Sequence, residues 1–240
     1  GTNPGLNPMY AKQADLVFEH YFPDSSGALV ADLFYKHIDS LVQTFTDENY
    51  DFAAHGYKVP INPTTNQPYL NGVFQTAYNN TRGCYVRGME LQFTKTHILP
   101  GPWSGLGVSL NYAYTESGSK IDSDLGGFPQ QQNLPGLSRN VASAALFYDN
   151  GKFSSRLAAN YRSPFVSAAQ VSFTFQTVYF ASEQVVDYQA AYNFNKHLSG
   201  MFQILNLTDQ PTRTYFGTPT QTSTLQYFGR TLYAGFSLKF

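Results

Sequence analysis

The side chains able to do chemistry are thinly spread along this chain. Its five histidines, His20, His37, His55, His97 and His197, stand far apart, with no HExxH run and no close pair. The sequence therefore offers no zinc-type ligand set. Cys84 is the only cysteine, which excludes an intrachain disulfide and a thiolate metal cage. Ser104 in the stretch GPWSG sits one position late for a G-x-S-x-G nucleophile elbow. His97 and His197 adjoin short turn-like runs, where interfacial or capping roles fit better than catalysis. No enzyme activity, cofactor or metal is expected. A formal net charge of −1 also removes the basic surface that nucleic acid requires.

What the chain does carry is recognition chemistry, concentrated in long polar stretches. Residues 45–82 hold Tyr50, Phe52, Tyr57, Tyr69 and Asn80, residues 118–138 hold Phe128, Gln130 and Gln131, and residues 209–228 hold Tyr215, Gln226 and Tyr227. Amides offer paired donors and acceptors to hydroxyl groups, and aromatic faces pack on apolar C–H surfaces. The expected ligand-contact set is Tyr50, Tyr57, Asn80, Phe128, Gln130, Gln131, Tyr215, Gln226 and Tyr227. Cations are few in these stretches, Lys58, Lys120 and Arg213 among them. A strongly anionic ligand such as a ferric chelate favours more, so the chemistry leans toward a neutral, hydroxyl-rich molecule. The plainer reading is that surface loops are commonly polar and contain some tyrosine.

The elements holding these stretches apart are strands. Leu106, Val108, Leu110, Tyr112 and Tyr114 alternate with Gly107, Ser109, Asn111, Ala113 and Thr115, and the same period of two recurs in 153–162, 186–194 and 231–240. The composition agrees: aromatic residues make up 16% of the chain and charged residues only 13%, which is β-like and about half the usual charge. Nine strands are expected, at roughly 12–22, 29–44, 83–98, 104–117, 139–149, 152–165, 183–195, 200–208 and 229–240. Short connections (PDSSG, PGPWSG, DNG, NKHLSG) alternate with long ones at 45–82, 118–138, 166–182 and 209–228. Segment 166–182 has its own alternation, Val171, Phe173 and Phe175 against Ser172, Thr174 and Gln176, and is expected to continue the flanking strands as a hairpin.

That layout is the signature of a transmembrane antiparallel barrel, with short periplasmic turns and long extracellular loops. No run approaches eighteen consecutive apolar residues, so no helix crosses a membrane. The mean hydropathy of −0.31 is still compatible with a membrane protein, because a strand needs only every second residue apolar. Nine open strands leave two unsatisfied edges, which lipid does not tolerate. The chain is expected to be the carboxyl-terminal part of a larger barrel, or to be completed by other segments. It opens on Gly1 with no leader pattern, the mark of a processed form or a fragment.

The parity that turns apolar side chains toward lipid turns Glu19, Asp32, Lys36, Glu90, Arg156, Arg162 and Asp187 toward the lumen. Lone charges there must pair or face water. They either grip an inserted domain or line a solvated interior, as in any wide barrel.

Asn3-Pro4-Gly5-Leu6-Asn7-Pro8 resembles the NPxLxP motif opening the last barrel section of TonB-dependent receptors. The runs DLVFEHYFPDSSGALVADLFYKHIDSLV, YVRGMELQFTKTHILPGPWSGLGVSLNYAYTES, LPGLSRNVASAALFYDNGKFSSRLAANYRSPF, ILNLTDQP and YFGRTLYAGFSLKF follow in the family's order. The resemblance spans essentially the whole chain and is best to the subgroup common in Xanthomonas- and Caulobacter-like bacteria. It implies an outer-membrane barrel of about twenty-two strands filled by an amino-terminal plug. It also implies active import of a scarce nutrient, energised through TonB–ExbB–ExbD; a ferric-chelate receptor, an outer-membrane enzyme and a passive porin are the alternative readings. Neither plug nor TonB box is in this sequence. The subgroup includes carbohydrate transporters, some of which bind a surface lipoprotein. Gly235, Leu238 and Phe240 in GFSLKF resemble the terminal signal read by the outer-membrane assembly machinery. The partners implied are membrane lipids, the rest of the barrel and the plug.

Overall fold

A computed structural model describes residues 3–69, 71–120, 131–170 and 177–239. In chain order the strands are β1 (Ala11–Tyr21), β2 (Gly27–Ile38), β3 (Leu41–Asp51), β4 (Asn71–Asn80), β5 (Cys84–Lys95), β6 (Leu106–Lys120), β7 (Gln131–Gln132) and β8 (Asn140–Asp149), followed by β9 (Phe153–Arg162), β10 (Phe165–Gln170), β11 (Thr177–Phe180), β12 (Glu183–Asn193), β13 (Leu198–Leu205), β14 (Thr212–Phe216), β15 (Thr222–Gln226) and β16 (Thr231–Leu238). Among the described residues the one helical element is a single 3-10 turn, Gly101–Trp103, and no helix is long and apolar enough to cross a membrane.

Nine strands form one sheet in the order β1-β2-β5-β6-β8-β9-β12-β13-β16, with β7 attached to β6. These are the nine that the alternation of apolar residues predicts. Their connections alternate as expected. Phe22–Ser26, Thr96–Gly105, Asn150–Lys152 and Phe194–His197 are short, and the other four links are long. The short turns are closed locally. Asn150 Oδ1 accepts the amides of Lys152 at 3.0 Å and Phe153 at 2.8 Å, while Gly151 takes φ +81, a conformation costly for residues with a Cβ. Asn195 Oδ1 does the same for His197 and Leu198, at 2.8 and 2.9 Å.

Two expectations need correction. The strand expected at 29–44 stops at Ile38, and β3 begins at Leu41 to pair with β4. The stretches 45–82 and 209–228 are not irregular loops, since they contain much of β3–β4 and the β14–β15 pair. Neither hairpin shows a strict alternation of apolar and polar residues, and that is why periodicity missed them. The 165–180 hairpin is present as β10 and β11, paired Phe165 to Phe180 and Val166 to Tyr179. The alternation quoted for Val171–Gln176 lies outside the described residues.

The chain divides into two compact units. One comprises residues 1–12, 36–85 and 118–132. Its centre is the β3–β4 hairpin, in register from Leu41–Asn80 to Asp51–Asn71 with a bulge between Asp47 and Tyr50. The NPGLNP stretch lies along β4. Asn7 and Asn79 exchange two hydrogen bonds at 2.7 and 2.9 Å, and Asn3 Nδ2 donates to the Ala77 carbonyl at 2.8 Å.

The other unit comprises residues 13–35, 86–117 and 133–240. It holds most of the nine-strand sheet and a four-stranded sheet in the order β10-β11-β14-β15. Little in it is buried. Strand β1 is exposed along its whole length, and in β16 Leu232 is 62% exposed and Phe236 77%.

Candidate functional site

The register makes the two faces of the sheet explicit. One face carries the row Val108, Leu146, Leu157, Tyr188, Ile204 and Leu232, each opposite the next. Beside it run Leu110, Ala144, Ala159 and Val186, then Tyr112, Ala142 and Tyr161. Toward the short turns the row is Phe153, Tyr192, Gly200 and Phe236. Leu110, Leu146, Leu157 and Phe202 are all exposed. A continuous uncovered apolar face of this kind is far larger than a protein in water displays. It is what hydrocarbon requires.

Aromatic rings bound this face at both ends. At the short-turn end Trp103 meets Tyr148 edge-on with centroids 6.2 Å apart, Tyr192 meets Phe194 at 5.1 Å, and Lys152 lies 5.4 Å over Tyr192. At the other end stand Tyr112 and Tyr161. Phe153 faces Tyr192 and Tyr161 faces Gln184, eight residues apart on β12. At about 3.4 Å per residue and a tilt of ~40° the band is roughly 20 Å tall, close to the ~25 Å of known barrels. Gly200 makes room in the lower ring. A Cβ there would lie 3.1 Å from the Phe194 ring and 3.3 Å from Phe236.

The opposite face is polar. Its rows are Ser109, Ala145, Ala158 and Asp187, then Asn111, Ser143 and Asn160, then Phe147, Arg156, Gln189 and Gln203. All of these residues except Phe147 line a shallow cavity of about 300 Å³. Asp32 and Glu90 line a second hollow with Gln92 and Asn111 on the same side. Of the charges expected inside, Arg156 and Asp187 share the first cavity, and Asp187 also accepts the Asn206 amide at 2.9 Å. Arg162 forks onto Glu183, its directly opposed residue, at 2.7 and 3.0 Å and covers the Phe165 ring at 4.8 Å. The Asp32 Oδ1 is closed off from solvent without a donor among the described residues. Glu19 accepts from the Tyr21 hydroxyl at 2.7 Å. Lys36 is half-buried in the other unit.

The residues expected to touch ligand are scattered in role. In the β3–β4 unit Tyr50 is sandwiched at 4.3 Å from His55 and 4.4 Å from Phe74, and burial raises its hydroxyl pKa. Tyr57 is exposed at the edge of that cluster, 5.8 Å from Phe52. Asn80 is 1% exposed, and its amide donates to Gln43 at 3.0 Å. In the other unit Tyr215 is 7% exposed and stacks on Tyr179 at 5.3 Å, and burial raises its pKa. Gln226 and Tyr227 are exposed, Tyr227 to 68%. Phe128 and Gln130 lie outside the described residues, and Gln131 pairs its backbone with Lys120. Gly235 faces Met201 with ordinary clearance, Leu238 is exposed, and Phe240 lies outside the described residues.

One small pocket at the long-connection end went unnoticed in the sequence. It measures about 130 Å³ and is lined by Glu116, Asn133, Arg139, Tyr179 and Tyr215, among others. Glu116 is held by Arg87 at 2.8 Å. Guanidinium, carboxylate, amide and two phenols from four separate segments converge here. Only Tyr215 carried a signal in the sequence, because convergence of distant segments has no local pattern.

A sheet with a lipid-facing belt between two aromatic rows and a polar reverse face is the wall of a membrane β-barrel. A family model described as "TonB dependent receptor-like, beta-barrel" matches residues 1–207. The chain belongs to that family, and its place is the bacterial outer membrane. No curated protein sequence matches it. Among solved structures, the siderophore receptor PiuA from Acinetobacter baumannii is similar over 96% of this chain and 28% of its own, with 19% identity and a TM-score of 0.62. The ferric-catecholate import receptor Fiu from K12 E. coli is similar over 99% and 29%, with 16% identity and a TM-score of 0.61. The copper transporter OprC is similar over 99% and 32%, also with 16% identity and a TM-score of 0.61. At these identities the likeness shows the fold, and the chain spans less than a third of each of these structures.

Proposed function

We propose that this chain forms the carboxyl-terminal part of the barrel of an outer-membrane receptor that imports a scarce nutrient. In this reading, further strands close the barrel, a plug packs on the polar face, and TonB–ExbB–ExbD supplies the energy. The protein binds and transports, and breaks no bond. The observation that carries the reading is the two-faced register of the sheet within a chain of this family. Among the described residues no strand pairs with the outer edges of β1 and β16, which supports completion by further strands, since lipid leaves no other source of hydrogen bonds. Outer-membrane lipids cover the apolar face. A surface lipoprotein is a further partner that the subgroup resemblance suggests.

The ligand is proposed to be a neutral oligosaccharide. Support comes from the exposed Tyr57, Gln226 and Tyr227 and from the donor-rich pocket at Arg139 and Tyr179. Arg213, one of the few loop cations, is turned back onto the Pro219 carbonyl. The second reading is a ferric siderophore, favoured by the neighbours PiuA and Fiu. Uptake by cells carrying the full-length receptor separates the two. Labelled oligosaccharide uptake that stops when a protonophore collapses the proton gradient is expected. Uptake of ferric siderophore alone would replace the sugar reading, and uptake persisting without a gradient would remove active transport.

A further inference from the structure

The four-stranded sheet repeats the order of the sheet it continues. Strand β10 follows β9, β11 leads into β12, β14 follows β13, and β15 leads into β16. The lower order β9-β12-β13-β16 and the upper order β10-β11-β14-β15 therefore run in step, and both stop at the same margin. The two ends of the upper sheet are treated differently. At the β10 end the Gly136 amide donates to the Val166 carbonyl at 2.8 Å, so a neighbouring segment covers that side. At the β15 end no strand among the described residues pairs with the outer edge.

Exposed edges are normally defended by charge, proline or a bulge that turns them away. Strand β15 reads Thr-Ser-Thr-Leu-Gln and is fully exposed; it carries neither charge nor proline, and its one irregularity is the extra residue Ser223, where the register on β14 shifts between Thr222 and Thr224. Leu225, Tyr227 and Phe228 stand exposed along and just beyond it. The β-branched, uncharged edge is built to accept a strand.

We infer that the strand hydrogen-bonding β16 in the complete receptor continues above the membrane and pairs with the free edge of β15. This rests on the reading that further strands complete the barrel. It makes the β14–β15 hairpin an internal member of a taller wall rather than a free loop.

Residue-resolved amide hydrogen exchange on the full-length receptor in nanodiscs tests it. The informative amides are those of Thr222–Gln226 that point away from β14, compared with their counterparts in β16. The expected result is slowing of both sets by at least about a hundredfold relative to an unstructured chain. Slow exchange in β16 with free exchange in β15 overturns the inference and leaves the completed barrel standing. Free exchange in both removes the completed barrel as well. Slowing in β15 that requires an added protein assigns the edge to a foreign strand and overturns the inference.

Discussion

Asn206 donates its side-chain amide to the Gly229 carbonyl at 3.2 Å, joining two points 23 residues apart. The same amide reaches the Gln210 carbonyl at 3.1 Å, its Oδ1 accepts the Gln210 amide at 2.8 Å, and its backbone amide is held by Asp187. Asn206 takes φ +55, which asparagine tolerates better than most residues. One side chain thus pins both feet of the β14–β15 hairpin to the top of β13. Asn206→Ala is expected to cost about 2–3 kcal/mol, at ~1 kcal/mol per lost bond. Limited proteolysis should then cut within 206–230 well before the strands below.

Leu157 lies in the middle of the apolar belt, and Asn160 lines the polar cavity a few residues along the same strand. Leu157→Arg should destabilise insertion by about 2–4 kcal/mol, and Asn160→Arg, whose charge stays off the hydrocarbon, should cost clearly less. Denaturant titration of the refolded full-length receptor in lipid vesicles measures both. Equal costs at the two positions would count against a sheet with one lipid face.

Much of this arrangement was readable in the sequence, for a physical reason. Strands that separate hydrocarbon from a polar interior must alternate strictly, so Leu106–Thr115 and Val186–Phe194 announced both their class and their parity. The same parity assigned Arg156, Asp187 and Asp32 to one face, and they line hollows there with Gln189 and Asn111. Strands β3, β4, β14 and β15 show no such alternation. Their Thr, Gln and Asn residues serve either side of a sheet in water, so the hairpins read as loops. Asn80 reads as a ligand contact in the sequence because amides also serve as structural polar groups, and Tyr215 stands in both positions, stacked on Tyr179 and lining the small pocket. Only burial and partners separate the two uses.

Gly200 sits opposite Phe236 on one side and Tyr192 on the other. Gly200→Val would push a branched side chain between the Phe194 and Phe236 rings. A loss of about 1–3 kcal/mol is expected, with Gly200→Ala losing less because the rings need give by only a few tenths of an ångström. The thermal unfolding midpoint of the receptor in detergent checks the order.

Asp24, in the turn between β1 and β2, accepts from the Ser26 hydroxyl and from its amide at 3.2 Å, with Lys95 at 3.4 Å as a weaker partner. These donors, Ser26 foremost, hold its pKa at about 2. Folding lowers this pKa, so the stabilisation is fully present above the unfolded value of about 3.9 and is lost as pH falls through about 2. Asp24→Asn should flatten the fall in stability across that window and leave the profile above about pH 5 unchanged in shape. Paired acid titrations of wild type and variant measure it.

The central claim is that alternate residues of one strand face lipid and an aqueous interior, and spin labels along β12 test it most directly. Single cysteines from Gln184 to Tyr192, in a Cys84→Ser background of the full-length receptor in bilayers, would carry a nitroxide read for collisions with oxygen and with a water-soluble nickel chelate. The account predicts oxygen access peaking at Val186, Tyr188, Ala190 and Tyr192, with nickel access peaking at Asp187 and Gln189. A flat profile, or the reverse parity, would contradict it.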